Sequence, residues 1–207
     1  MTQVVVLDYG SGNVRSAVRA LESAGAQVTL TSDRDAALNA EGLLIPGVGA
    51  FSAVMDALER VGGHDIVRTR HQQNKPTLGI CVGQQILFQS GTEHGTTTSG
   101  VALWPGTVTH LKAPVVPHMG WNTVTPAQGS AMFAGVEHEH FYFVHSYVAH
   151  APVPGALNTT CTHGEQFIAA VEDGPTWATQ FHPEKSGDAG LTLLTNWLKH
   201  VRSKENQ

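Results

Sequence analysis

The sequence predicts an α/β fold: a single domain with an open mixed sheet, its parallel core flanked by helices and extended by antiparallel strands. Three observations carry that expectation. Apolar, β-prone runs alternate with segments of helical spacing through the first half of the chain, the pattern of a parallel sheet covered on both faces. The second half changes to short β-prone segments parted by Gly, Pro and Asn turns, which suits antiparallel additions. A length of 207 residues with 41% hydrophobic content makes one compact domain over residues 1–207 the natural outcome.

Val4-Val5-Val6-Leu7 forms the first strand and stops at Asp8, far short of a signal-peptide core or a spanning helix. Residues 14–23 have helical spacing, 27–30 and 42–45 are the next strands, and 50–61 is helical. Pro76-Thr77-Leu78-Gly79-Ile80 reads as a short buried strand introduced by proline, and Gln84-Gln85-Ile86-Leu87-Phe88 as the first turns of a helix. Segments 106–111, 121–125, 141–144, 157–162, 168–172 and 176–180 are expected to extend the sheet. Residues 191–201 form a closing amphipathic helix, and 203–207 a frayed end. No repeat, low-complexity tract or linker interrupts the pattern.

Composition narrows the function classes. A net charge of −5 without any basic run argues against a dedicated nucleic-acid binder. Charged residues are 14%, against roughly 25% in an average soluble protein. Either a partner covers part of the surface or the exposed surface is poor in charge. Cys81 and Cys161 form no CxxC pair or disulfide framework, consistent with a reducing cytoplasm. Cys161 falls in a strand segment and reads as structural. His138 and His140 with Glu137 and Glu139 lack a third ligand at a usual spacing, so no metal site is expected, and no cofactor.

The chemistry concentrates at Gly79-Ile80-Cys81-Val82-Gly83. A side chain on a sharp strand-to-helix turn is pushed out at the carboxyl edge of the sheet, and flanking glycines remove the clashes of the turn. The N-terminus of a following helix favours the thiolate. A small cysteine packed at a strand end is the plainer alternative. Gln180-Phe181-His182-Pro183-Glu184 follows another apolar run, so His182 also sits at or just past a strand end. Pro183 fixes φ and stops the strand, leaving Glu184 able to reach one imidazole nitrogen while the other faces the thiol. Cys81, His182 and Glu184 thus form a nucleophile, a base and an orienting carboxylate. Pro46-Gly47-Val48-Gly49, at a third strand end, can turn backbone N–H groups toward an oxyanion, as can the N–H of Val82, the residue after the nucleophile. Gly10-Ser11-Gly12 with Asp33 partly mimics a dinucleotide fingerprint, but Arg15 stands where the third glycine belongs.

Together these segments resemble the class I, triad-type glutamine amidotransferases. Asp8-Tyr9-Gly10-Ser11-Gly12-Asn13, Pro117-His118-Met119-Gly120-Trp121-Asn122 and Tyr142-Phe143-Val144-His145-Ser146-Tyr147 resemble one branch, the glutaminase subunits of imidazole glycerol phosphate synthase. The resemblance runs from about residue 4 to residue 200. Gln84 departs from it, because that branch commonly carries methionine there. The segment 89–95 around Glu93 is also looser than usual. The resemblance implies cytoplasmic glutamine hydrolysis through a cysteine thioester, with Val48 supplying the second oxyanion donor. It implies a pocket of Gly49, Gln85, Glu93 and Ser146 for the amino-acid end of glutamine. It further implies a heterodimer with a (β/α)₈-barrel cyclase that takes up the ammonia, with Asn13, Trp121 and Lys185 at the contact and no nucleic acid or membrane as partner. A binding protein without thiol chemistry, a cysteine hydrolase of the same fold, and an amidotransferase serving anthranilate or pyridoxal phosphate synthesis are the rival readings.

Overall fold

The computed structural model describes residues 1–10, 12 and 14–205. Its main sheet has seven strands. In chain order these are β1 (Thr2–Leu7), β2 (Ala26–Thr31), β3 (Gly42–Gly47), β4 (Thr77–Cys81), β11 (Leu157–His163), β12 (Glu165–Asp173) and β13 (Thr176–Thr179). They lie side by side as β11-β12-β13-β4-β3-β1-β2. From β13 to β2 every neighbouring pair is parallel, whereas β12 runs antiparallel to both β13 and β11. Strands β3 and β4 are buried along their whole length, as parallel strands covered on both faces must be.

Proline at 46 is tolerated in this central strand because the β1 pairing has already ended at Leu44. Its carbonyl accepts a hydrogen bond from the Tyr9 hydroxyl. The flanking helices are α1 (Val14–Ser23), α2 (Arg34–Asn39), α3 (Phe51–Arg60), α4 (Gly63–Gln72) and α6 (Gly187–Glu205). Helix α6 runs farther in both directions than the apolar periodicity over 191–201 predicts.

The second half differs from expectation in an instructive way. Of the six segments expected to extend the main sheet, the first three stand outside it. β7 (Trp104–His110) lies in a separate four-stranded sheet, ordered β10-β7-β5-β6, with β5 (Phe88–Glu93), β6 (Thr96–Ser99) and β10 (Tyr147–Ala149). β8 (His118–Thr123) and β9 (His140–His145) form a two-stranded antiparallel ribbon. β13 joins parallel to β4, which carries its C-terminal end, and the residues after it, to the same edge as the end of β4. One continuous apolar core nevertheless runs beneath all three sheets, from Val4 and Leu44 through Phe88 and Trp104 to Phe143 and Trp197.

Helices α2 and α4 escape the sequence pattern because they offer few apolar residues. The anchor of α4 is Arg70, fully buried. Its guanidinium donates to the carbonyls of Ala37, Leu38, Ala40, Glu41 and Pro76. It thereby satisfies the free carbonyls at the end of α2. Burial lowers its pKa to about 10.

Candidate active site

Strand β4 ends on Cys81, and the next element, α5 (Val82–Gln85), begins one residue later. The reversal therefore happens at the cysteine, which takes φ 57° and ψ −113°, a strained conformation for a residue with a side chain. Backbone packing enforces it. A Cβ at Gly83 would sit 2.1 Å from the Ile45 carbonyl oxygen, one at Gly47 2.3 Å from the Gly83 nitrogen, and one at Gly79 2.5 Å from the Gly83 oxygen. Three glycines from two strands and the turn thus interlock without side chains. The expected long helix after the elbow is a single turn, because Phe88–Glu93 has already become strand β5. So short a helix aligns few peptide dipoles behind the sulfur.

The base is held by hydrogen bonds instead. His182 follows β13 and opens a 3₁₀ turn, Pro183–Lys185. Its N–H donates to the Tyr142 carbonyl at 2.9 Å. Its carbonyl accepts from the Ser186 hydroxyl at 2.7 Å, and that hydroxyl accepts from the Tyr142 N–H at 3.0 Å. Nδ1 of His182 lies 2.7 Å from Glu184 Oε1, and the ring shares the cavity lining with the Cys81 sulfur. Burial pulls the imidazole pKa down, but the Cys81 sulfur and the Glu184 carboxylate more than offset it and push it up to about 9. Both side chains are almost fully enclosed, so the attraction is little screened by solvent.

Beside the sulfur opens a cavity of about 240 Å³, lined by Gly49, Cys81, Gln85, Glu93, Ser146 and His182, with Val48, Val82 and Lys185 also on its wall. The structure thus gathers the predicted triad, both predicted oxyanion positions and all four predicted pocket residues. Glu93 reaches the cavity at the tip of the β5–β6 hairpin, whose two-residue turn His94-Gly95 has positive φ at both positions. One carboxylate oxygen of Glu93 already accepts the Phe51 N–H at 3.0 Å, at the start of α3.

Of the predicted interface residues, Lys185 is exposed above the triad and lies 6.0 Å from the Tyr142 ring. Trp121, 57% exposed, stands opposite Tyr142 across the β8–β9 ribbon. Asn13 lies outside the described residues. Two side chains of the site carry no signal of their own in the sequence. Gln180 directs its amide nitrogen at the Cys81 sulfur at 3.8 Å, and His145 lines the cavity. Both stand inside the recognisable segments, but only the fold brings them to the sulfur.

The sequence profile of the glutamine amidotransferase class-I family matches residues 5–201, nearly the whole chain. The chain belongs to that family. This amidotransferase is 57% identical over 205 residues to the imidazole glycerol phosphate synthase subunit HisH of Streptomyces avermitilis, covering 95% of each chain. It is 56% identical over 198 residues to the protein of the same name from Mycobacterium tuberculosis, covering 94% of this chain and 96% of that one. For the Thermobifida fusca protein, again of that name, the identity is 55% over 207 residues, with 95% and 97% covered.

Among solved structures, a glutamine amidotransferase superposes with a TM-score of 0.76 at 19% identity, covering 96% of this chain and 98% of that one. A putative GMP synthase component from Thermoplasma acidophilum gives 0.72 at 22%, covering 100% and 96%. At those identities the likeness concerns the fold. Its mixed sheet with flanking helices is the architecture described above.

Proposed function

We propose that this chain is the glutaminase subunit of imidazole glycerol phosphate synthase, a single domain over its whole length. It hydrolyses glutamine to glutamate and ammonia and supplies the ammonia to a cyclase subunit in histidine biosynthesis. The observation that carries this reading is one small cavity lined by both Cys81 and His182, the latter backed by Glu184 at 2.7 Å, with Gln85, Glu93 and Ser146 on the same lining. A free amino acid fits such a volume, and polar groups sit where its charged end must go.

The sulfur attacks the γ-carboxamide carbon of glutamine, and the carbonyl oxygen becomes an oxyanion. The N–H groups of Val82 and the 47–49 loop, at Val48, receive that charge. Losing one such donor typically costs about 10²–10³ in turnover. His182 passes its proton to the departing ammonia as the tetrahedral adduct collapses to a γ-glutamyl thioester. It then takes a proton from the attacking water, and glutamate leaves. Glu184 holds the imidazole tautomer and stabilises its charged form throughout.

Ammonia loses nucleophilicity once protonated, so release into a partner favours the synthase reaction over free hydrolysis. The partner is a (β/α)₈-barrel cyclase, and the docking face is the exposed side of β8. There Met119 and Trp121 are 62% and 57% exposed beside Tyr142 and Lys185, the kind of aromatic anchor that interfaces use. Asn13 belongs to the same contact, and the cytoplasm is the compartment. The test is to measure glutamate release from glutamine, a γ-glutamyl ester and a short peptide, with and without the barrel partner and its ligand. Glutamine is expected to be the preferred substrate, and the liganded partner to raise turnover. Preferential peptide cleavage, or high activity indifferent to the partner, would overturn the reading.

A further inference from the structure

We propose that Gln180 is a further catalytic residue of this site, an amide donor to the reacting sulfur, and that His145 and His118 position it. This role rests on Cys81 being the nucleophile of the proposed reaction.

One backbone carbonyl sets the polarity of the whole network. The Tyr147 carbonyl accepts from Gln85 Nε2 at 2.9 Å and lies 3.2 Å from His145 Nδ1. A carbonyl can only accept, so it fixes two things at once. It sets the Gln85 amide with its nitrogen inward, and it sets the His145 tautomer with the proton on Nδ1.

From there the polarity spreads in both directions without a choice. On one side, Gln85 Nε2 also donates to Gln180 Oε1 at 2.9 Å. Gln180 must then present its nitrogen to the Cys81 sulfur, where it lies at 3.8 Å. On the other side, His145 Nε2 must accept, so His118 Nδ1, 3.0 Å away, carries a proton. His118 Nε2 then accepts from Asn122 Nδ2 at 3.3 Å. The chain closes correctly at Asn122, because its Nδ2 also meets the Thr162 carbonyl and its Oδ1 accepts the Thr123 N–H.

Six side chains, from Asn122 on the β8–β9 ribbon to Cys81 on β4, therefore share one consistent set of donors and acceptors. Gln85, Gln180, His118, His145 and Cys81 are all buried, where a mismatched amide or imidazole is costly.

The arrangement holds only with both histidines neutral. Burial, together with the facing His163, lowers His118 to about 4. Burial, His118, His163 and His182 lower His145 to about 3. The rings packed around them, Phe143 and Phe167, bring no charge of their own. Gln180 and His182 then act on the sulfur together. His182 moves the proton, while the Gln180 N–H stabilises negative charge on sulfur and aims its lone pair. The Gln180 amide has no titration in the working range, so its contribution persists when His182 gives its proton away.

The test is the rate at which iodoacetamide alkylates Cys81 in wild type and in Gln180→Leu and Gln180→Glu, followed from pH 6 to pH 10, with glutamine hydrolysis read in parallel. Cys161 is buried with a pKa raised to about 12, so labelling reports on Cys81. Gln180→Leu is expected to alkylate about tenfold more slowly at pH 7, the value of one lost hydrogen bond to a charged group, and the deficit should close as pH rises. A structural defect alone would leave a deficit at every pH.

Gln180→Glu keeps the shape and removes the donor, so it is expected to be slower still. His145→Asn keeps a donor near the Tyr147 carbonyl and should alkylate faster than His145→Leu, which has none. Unchanged alkylation in folded Gln180→Glu would overturn the proposal. If wild type failed to hydrolyse glutamine while this alkylation pattern held, the function proposed above would fall and with it the catalytic role, leaving Gln180 only as an amide donor to the Cys81 sulfur.

Discussion

The two halves of the active site are built by different physics. The nucleophile side, where β3, β4 and α5 meet, is fixed by backbones touching where any Cβ would collide. The base side, where the ribbon, β13 and the 3₁₀ turn meet, is fixed by side-chain hydrogen bonds among buried polar groups. Steric exclusion does not change with pH, whereas hydrogen bonds to imidazole and carboxylate do. The cysteine should thus resist conditions that disarm its histidine, and each half should fail in its own way when broken.

The largest effect is expected at Gly83. A methyl group there meets the Ile45 carbonyl oxygen at 2.1 Å, and backbone cannot swing aside. Gly83→Ala should destabilise by about 3 kcal/mol or more and abolish activity, read by thermal denaturation and glutaminase assay together. A folded, active Gly83→Ala protein would show that the elbow is held some other way.

Glu184→Gln attacks the other half without a steric clash. Turnover should fall by about 10² or more, and the melting temperature below pH 6.5 should fall with it, because the buried imidazolium loses the carboxylate that stabilises it. The alkaline limb of activity should shift downward, because the imidazolium loses its carboxylate.

The pH dependence of stability sharpens the contrast on the intact protein. His182 is raised from 6.5 to about 9. Its contribution is complete below pH 6.5 and is lost as pH climbs toward 9, because the unfolded chain gives up that proton first. His118, His145 and His200 are lowered to about 4, 3 and 4. Their contribution is complete above pH 6.5 and is lost as pH falls toward 4, as up to three protons bind on unfolding. Denaturant melts across pH 4–10 should show both slopes, and His182→Asn should remove the alkaline one alone.

The smallest expected effect is a gain. Gln84 is fully buried, with Nε2 on the Ile168 carbonyl and Oε1 without a partner. Gln84→Met should stabilise by about 1 kcal/mol, or roughly 2–4 °C in melting temperature, with activity unchanged.

This division also explains what the sequence made legible. Cys81 between its glycines, and His182 with Glu184 two residues on, are local patterns, and each is found where it was read. The parallel strands were legible as continuous apolar runs. The second-half segments were legible as strands but not as members of particular sheets, since pairing is set by contacts far apart in sequence. β7, β8 and β9 accordingly left the main sheet. Helix α4 was hidden because its anchor is a buried arginine rather than an apolar stripe. Gln180 was hidden because its partners lie more than ninety residues away, and His145 because its link to His118 spans 27 residues; their roles follow from the polarity of one carbonyl.

The most direct measurement is glutamine hydrolysis by Cys81→Ser beside wild type, each with the cyclase partner present and its folding verified by melting temperature. Ammonia release is expected to fall by about 10³ or more with the fold retained, since the glycine contacts that shape the elbow do not involve the sulfur. Hydrolysis at the wild-type rate by a folded Cys81→Ser protein would contradict the account.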